Sequence, residues 1–426
     1  MRQKEKREAV FSSDSFISLY GKSQTRFQKE QERYHEIARQ FRKSFGEKDP
    51  VLFFSVPGRT EIGGNHTDHQ NGCVVAAAVD LDIVAAVAKR EDGIIRFYSE
   101  GFSEMDQIDT GDTQIREEEK GTSAALLRGI CHRMVQLGYS IGGFDAYSSS
   151  QIPRGSGLSS SAAFEVLVVT ILNHLYNYGK IDVAATAAIS QYAENCFFGK
   201  PCGLMDQMAC AAGGVVGIDF KDPLHPALEK IPFRLQEDGY TLFIVHTGGS
   251  HADLTGEYQA IQQEMKQVAQ EMGRQVLREC KEEIFYRKIP ELRQKLGDRA
   301  ILRAIHFFNE NKRATEEKEA LQRKDSSAFY NLVLQSGQSS YQYLQNLYAC
   351  RYPKQQSIPL ALALSERLLA GTGGAWRVHG GGFAGTIQAF VPLSLSQRYR
   401  QEMETVFGKG SCMELSIREQ GGVLVG

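Results

Sequence analysis

Pro153-Arg154-Gly155-Ser156-Gly157-Leu158-Ser159-Ser160-Ser161-Ala162-Ala163 sets unencumbered backbone amides and three consecutive hydroxyls where a long apolar run begins. The residues that follow, Phe164-Glu165-Val166-Leu167-Val168-Val169-Thr170-Ile171-Leu172, read as a buried helix. The first N–H groups of such a helix lack intrahelical partners and point at any anion lying before them. A serine-capped turn accounts for single residues of this run. The run as a whole predicts a cradle for a nucleotide phosphate.

Length and composition bound what surrounds this loop. At 426 residues the chain exceeds what one core usually organises, so two lobes with a cleft are expected. The net charge is −2 and 42% of residues are hydrophobic. That leaves neither a basic footprint for nucleic acid nor a disorder signature, and points to small-molecule partners. The eight cysteines are scattered without a C-x-x-C pair, which fits reduced thiols and a cytoplasmic location. Arg2, Lys4, Lys6 and Arg7 imitate the start of a signal peptide, but no apolar region follows them. No apolar run is long enough to span a membrane. Oligomeric state is not legible, and a monomer is the favoured expectation.

Residues 1–25 form a polar N-terminal extension in which Phe11, Phe16, Ile17 and Tyr20 are candidates to dock on the body. Tyr34, Ile37, Phe41 and Phe45 recur at helical spacing before Gly46 and predict an amphipathic helix over about 27–45. Strands are expected at 51–56, 73–78, 83–89 and 94–99, and helices at about 123–137, 160–178 and 183–197, the last capped by Asp182. The polar stretch around Pro223 and Pro226 divides the chain into lobes of 26–225 and 226–426. The second lobe opens with a strand at 241–246 and closes with strands around 375–379 and 385–390, a helix near 395–407 and two short strands. The fold class is α+β.

Three further segments suggest parts of one site. Pro57-Gly58-Arg59-Thr60-Glu61-Ile62-Gly63-Gly64-Asn65-His66-Thr67-Asp68-His69 follows a strand and is too polar for ordinary core, so it reads as a binding loop. Three adjacent ligand types at 66, 68 and 69 with no second cluster make a poor zinc site. In Gly199-Lys200-Pro201-Cys202-Gly203-Leu204-Met205-Asp206-Gln207, Asp206 opens a short helix, as a dipole partner or as the carboxylate that phosphoryl transfer to an alcohol requires. His379-Gly380-Gly381-Gly382-Phe383-Ala384-Gly385 contains G-x-G-x-x-G, but a strand follows where a dinucleotide fold needs a helix. No G-x-x-x-x-G-K-[ST] motif is present, so this is not a P-loop enzyme.

With P-G-R and its H-T-D cluster, P-x-x-x-G-L-S-S-S-A-A and G-G-G-F-x-G in order, the chain resembles the GHMP small-molecule kinases, and among them the galactokinase branch. The resemblance implies a first lobe like domain 2 of ribosomal protein S5 and a ferredoxin-like second lobe, with ATP and sugar between them. It implies transfer of the γ-phosphate of ATP to the anomeric hydroxyl of galactose. Asp206 would be the catalytic base, with Arg59 holding its carboxylate. Ser161 and Glu194 would hold Mg2+. Gly155, Ser156, Gly157, Leu158, Ser159, Ser160 and Ser161 would bind the triphosphate, and Asn65, His66, Asp68, Gly203 and Tyr258 would line the sugar site. An arginine beside Asp206 should lower its pKa, favouring a positioning role over proton abstraction.

Several positions depart from the branch. Asn65 replaces the Glu of G-E-H-T-D-Y, His69 its Tyr, and His379 the usual Thr before the glycines, while the family's Trp is replaced around Ser123. These changes question the sugar and leave the phosphoryl-transfer residues intact. Loss of a carboxylate at 65 admits galacturonate or N-acetylgalactosamine as alternative substrates. A non-catalytic sugar sensor is a third reading, opposed by the presence of Arg59, Ser161, Glu194 and Asp206.

Overall fold

Strands β1 (Leu52–Gly63) and β2 (Cys73–Lys89) form the long antiparallel pair on which the first lobe is built, in a computed structural model that describes residues 13–21, 23–153, 157–248 and 254–425. With β3 (Ile94–Ser99), β4 (Asp106–Asp109), β5 (Phe144–Ser150), β6 (Val215–Asp219) and β7 (Ala227–Ile231) they make most of an eight-stranded sheet. Helix α1 (Ser13–Tyr20) and α2 (Gln24–Phe45) precede it. Both faces of the sheet are covered, which explains why its strands read as continuous apolar runs. In β2, Ile83, Ala85 and Val87 join the main core while Val84, Ala86 and Ala88 pack under α2, whose Tyr34, Ile37, Phe41 and Phe45 are buried as their spacing predicts. Phe16 and Tyr20 of the extension are buried in the same cluster; Ile17 is exposed, and Phe11 lies outside the described residues.

The main core gathers α3 (Ser123–Gln136), α4 (Ser160–Tyr176), α5 (Val183–Tyr192) and α6 (Met205–Ala212) against the sheet. Every residue of α4 from Ala162 to Asn173 is buried, as befits a helix apolar on all sides. The second sheet, β8 (Tyr240–His246), β9 (Ala375–Val378), β10 (Thr386–Pro392) and β11 (Cys412–Leu415), is antiparallel in the order β11-β8-β10-β9. Helices α10 (Ser326–Ser339), α11 (Ser357–Leu369) and α12 (Ser396–Phe407) pack on this sheet, while α7 (Thr255–Glu271), α8 (Glu282–Leu296) and α9 (Asp298–Gln322) pack on one another around a separate apolar cluster. Helix α9 packs on β1 and β2 and so ties this half of the chain to the first sheet.

Two expectations need correction. The strand at 51–56 does not end at Pro57: β1 continues to Gly63 through register shifts at Pro57/Arg59 and Glu61/Gly63. Bulges absorb the residues that cannot keep the ladder, so much of the expected loop is strand. The division at 225/226 falls between β6 and β7, which pair in one sheet. A last strand, β12 (Val423–Leu424), also returns to β1, so the first sheet draws on both halves of the chain.

Candidate active site

The bulge in β1 turns Arg59 towards the start of α6, where its Nε and Nη2 each lie 2.8 Å from Asp206 Oδ1. Its Nη1 donates to the carbonyl of Gly157, and its backbone N–H to that of Leu158 at 3.1 Å. The phosphate loop is therefore stitched to the strand that carries the guanidinium. Gly58 permits this approach, because a Cβ there would lie 2.8 Å from the Leu158 carbonyl oxygen. Ser159 sits at φ 58°, caps nothing with its side chain, and donates its hydroxyl to Asp206 Oδ2. Leu158 is fully buried and offers the site only backbone. Ser160 starts α4; Gly155 and Ser156 lie outside the described residues.

Burial raises the Asp206 pKa, but the Arg59 charge, hydrogen bonds from Ser159 and Arg59, and the Lys200 charge outweigh it, so the group lies below the usual carboxylate range. Its side chain keeps 30% exposure, enough for a ligand to reach it. Behind it, Ser161 Oγ donates to Glu194 Oε1 at 3.0 Å. Glu194 belongs to a π-helical turn, Ala193–Phe198, that ends on Gly199 at φ 83°. Its Oε1 also accepts from Lys200 Nζ at 2.9 Å and its Oε2 from Gln207 Nε2 at 3.0 Å. Gln207 reaches Glu165 Oε2 as well, at 3.1 Å. Burial and the neighbouring Glu194 push the Glu165 pKa well up, and its Oε1 has no hydrogen-bond partner among the described residues. A hydroxyl and a carboxylate oxygen, with phosphate oxygens to complete the shell, suit a hard cation such as Mg2+.

Asp68 lies on the other side of Asp206. A Cβ on Gly203 would fall 1.9 Å from Asp68 Oδ2, so the glycine lets this carboxylate close on the start of α6. Burial, Asp206 and Glu61 push the Asp68 pKa up to about 6. The remaining expected sugar residues hold the glycine loop after β9. Asn65 Nδ2 donates to Gly380 O at 2.8 Å, His66 Nε2 to Gly381 O at 3.1 Å, and Tyr258 Oη to Gly382 O at 2.8 Å. Burial drops His66 to about 4 and His69 to about 3, so both rings are neutral at pH 7. Asn65 is completely buried: its amide also donates to Glu61 Oε1 at 2.9 Å, and its Oδ1 accepts from Asn346 at 3.0 Å and Ser340 at 3.3 Å. With both donors and both lone pairs engaged, Asn65 has nothing left to offer a sugar in this arrangement.

The chain from 125 to 214 matches the model of the GHMP kinases N terminal domain, and 39–89 matches the galactokinase galactose-binding signature. A galactokinase of Glaesserella parasuis is 33% identical over 363 residues, covering 83% of this chain and 88% of that protein. The chain belongs to the galactokinase family of GHMP kinases. A human galactokinase is 30% identical over 395 residues, 91% of this chain and 95% of the relative. The fold is also that of a Lactococcus lactis galactokinase crystallised with galactose, at TM-score 0.78 and 23% identity over 92% of this chain and 99% of that one. A Methanococcus jannaschii mevalonate kinase shares it more loosely, at TM-score 0.61 and 15% identity over 87% and 99%.

Three of the departures from the galactokinase signature, at 65, 123 and 379, make hydrogen bonds within the protein. His379 is buried between Thr60 Oγ1 and Thr386 Oγ1, 3.0 Å from each, and a Cβ on Gly157 would lie 3.1 Å from its Nδ1. Ser123 donates to Asp106 Oδ2 at 2.5 Å. Sequence reasoning assigned nothing to Glu165, Lys200, Glu61 or Arg377. Glu165 carried a signal, as a lone charge inside an apolar helix. The Glu61–Arg377 pair, 2.6 Å apart and buried, joins β1 to β9 across more than three hundred residues and left no local trace.

Proposed function

We propose that this galactokinase-family chain transfers the γ-phosphate of ATP to the anomeric hydroxyl of galactose, with Asp206 and Arg59 as its catalytic pair. The observation that carries the reading is one cluster in which Arg59 binds both Asp206 and the loop at 157–159, next to the Ser161–Glu194 pair. The first helical turn of α4 and the 157–161 loop face the triphosphate, and the sugar lies between Asp206 and Asp68. A metal held by Ser161 and Glu194 would neutralise phosphate oxygens when bound. The sugar oxygen forms its bond to the γ-phosphorus as the bond to the β,γ-bridging oxygen breaks, and ADP leaves. The hydroxyl proton passes to Asp206 or to water. Since Arg59 keeps Asp206 ionised, the carboxylate acts first by orienting the hydroxyl, and Arg59 stabilises charge that develops on the transferred group.

Galactose is favoured over an acidic sugar. The relatives matched over most of this chain are galactokinases, and residues 39–89 match the galactokinase galactose-binding signature. All eight cysteines are free thiols and no described helix is long and apolar enough to cross a membrane, which supports a cytoplasmic enzyme. The test is a coupled ADP-release assay with ATP, Mg2+ and a panel of hexoses. Galactose should give the highest kcat/KM, and turnover confined to galacturonate or N-acetylgalactosamine would overturn the assignment.

A further inference from the structure

Lys200 stands outside every motif that carries the family resemblance, yet its ammonium reaches the Glu194 oxygen that would face the metal. Nζ lies 2.9 Å from Glu194 Oε1, the same oxygen that accepts from Ser161 Oγ at 3.0 Å. The two partners differ sharply in environment: Glu194 is 2% exposed and the Lys200 side chain 60%. This differs from an ordinary surface pair, in which both groups are solvated and the bond contributes little. A buried carboxylate requires a countercharge, and here a flexible four-carbon stem delivers one from solvent into the site. The Lys200 charge also helps hold Asp206 below the usual carboxylate range, after the larger effects of Arg59 and Ser159. Arg59 binds Asp206 directly, while Lys200, on an exposed stem, binds Glu194.

We infer that Lys200 is a second cationic ligand of the transferred phosphoryl group, parked on Glu194 until that carboxylate turns to the metal. The inference rests on the kinase reading above. Phosphoryl transfer spreads charge over the equatorial oxygens of the moving group, and an ammonium with three donors on a rotatable stem can follow those oxygens from ATP towards the sugar. The Arg59 fork, held by Asp206 and Gly157, meets the transferred group from a fixed position. No bond is made or broken by Lys200; it donates hydrogen bonds and keeps its proton.

Calorimetry with a non-hydrolysable ATP analogue and with ADP, both at saturating Mg2+, separates the possibilities for wild type, Lys200→Met and Lys200→Arg. Lys200→Met should weaken the analogue by about ten- to a hundredfold, with ADP changed by less than about twofold, as expected for one charge-assisted contact to the terminal phosphate. Lys200→Arg should recover most of the loss, and kcat should fall in Lys200→Met while the galactose KM holds. Unchanged analogue affinity, or an equal loss for ADP, overturns the inference. Wild type that binds neither nucleotide, and turns over no hexose, overturns the kinase reading itself and is thereby distinguished.

Discussion

Arg59 and Asp206 are joined through one carboxylate oxygen: Nε and Nη2 both reach Oδ1 at 2.8 Å, while the third nitrogen, Nη1, is spent on the carbonyl of Gly157. Oδ2 is left to Ser159 and to whatever enters the cleft. One guanidinium thus sets both the position of the Asp206 carboxylate and the path of the 157–159 loop, and in the proposed reaction a shared part would align the two substrates.

Asp206→Asn should lower kcat by about 10² to 10⁴ while nucleotide affinity stays near wild type, since the amide keeps the shape but loses the charge. Arg59→Gln should act through pH as well. Burial favours the neutral carboxyl and Arg59 opposes it, so removing the guanidinium raises the Asp206 pKa. Activity that needs the carboxylate is present above that pKa and lost below it. The acidic limb of kcat should therefore move to higher pH in Arg59→Gln, and steady-state kinetics from pH 4 to 8 would read it. An unmoved limb would separate Asp206 from the titration.

Asp68 supplies a second, distinct pH signature. Burial, Asp206 and Glu61 hold its carboxyl up to about 6, so it gains a proton as the pH falls through that value. A protonated carboxyl is a poorer acceptor for sugar hydroxyls. The galactose KM should rise below about pH 6 while the nucleotide KM stays level. Asp68→Asn should show a high galactose KM at every pH and no such limb.

How far the sequence alone reaches depends on the distance between partners. Helices α4 and α2 were legible because their signals are local: small residues before an apolar run, and buried residues at helical spacing. The gathering of Arg59, Ser161, Glu194 and Asp206 was expected from the resemblance and not from spacing. Continuation of β1 beyond Pro57 was not legible, because its bulges are defined by β2 and by the Leu158 carbonyl against Gly58. Nor was the state of Asn65, whose partners come from 61, 340, 346 and 380. In this arrangement its side chain ties β1 to the glycine loop.

That tie makes its own prediction. Asn65→Ala removes the donor to the half-buried Gly380 carbonyl and one of the two acceptors of the Asn346 amide, which keeps its bond to Gly381, and should cost about 2–4 kcal/mol in urea unfolding. Asn65→Glu alone should be no better, because it sets a second carboxylate against Glu61 and removes the donor to Gly380. Exchanging the pair, Glu61→Gln with Asn65→Glu, restores one acid and one amide across the 2.9 Å contact. The double variant should be more stable than the sum of the single effects predicts, and strict additivity would show that the two side chains are uncoupled.

Asp82 tests the attachment of the N-terminal helices. Tyr20 Oη donates to its Oδ2 at 2.7 Å, Arg33 to its Oδ1 at 2.6 Å, and Arg418, beyond the second sheet in sequence, to Oδ2 at 2.9 Å. Burial would raise this carboxyl, but Arg33, Arg418 and Ser55 outweigh it and bring it down to about 2. A folded-state pKa that far below the ordinary value of about 3.9 contributes about 2.6 kcal/mol at neutral pH. The sign follows: that contribution is complete above about pH 4 and is lost as pH falls towards 2. Asp82→Asn leaves Arg33 and Arg418 without their shared countercharge and should cost about 3–5 kcal/mol at pH 7. Urea unfolding of wild type and variant should converge between pH 4 and 2, because the wild type loses there what the variant never had. Parallel curves across that window would mean that Asp82 does not titrate with folding.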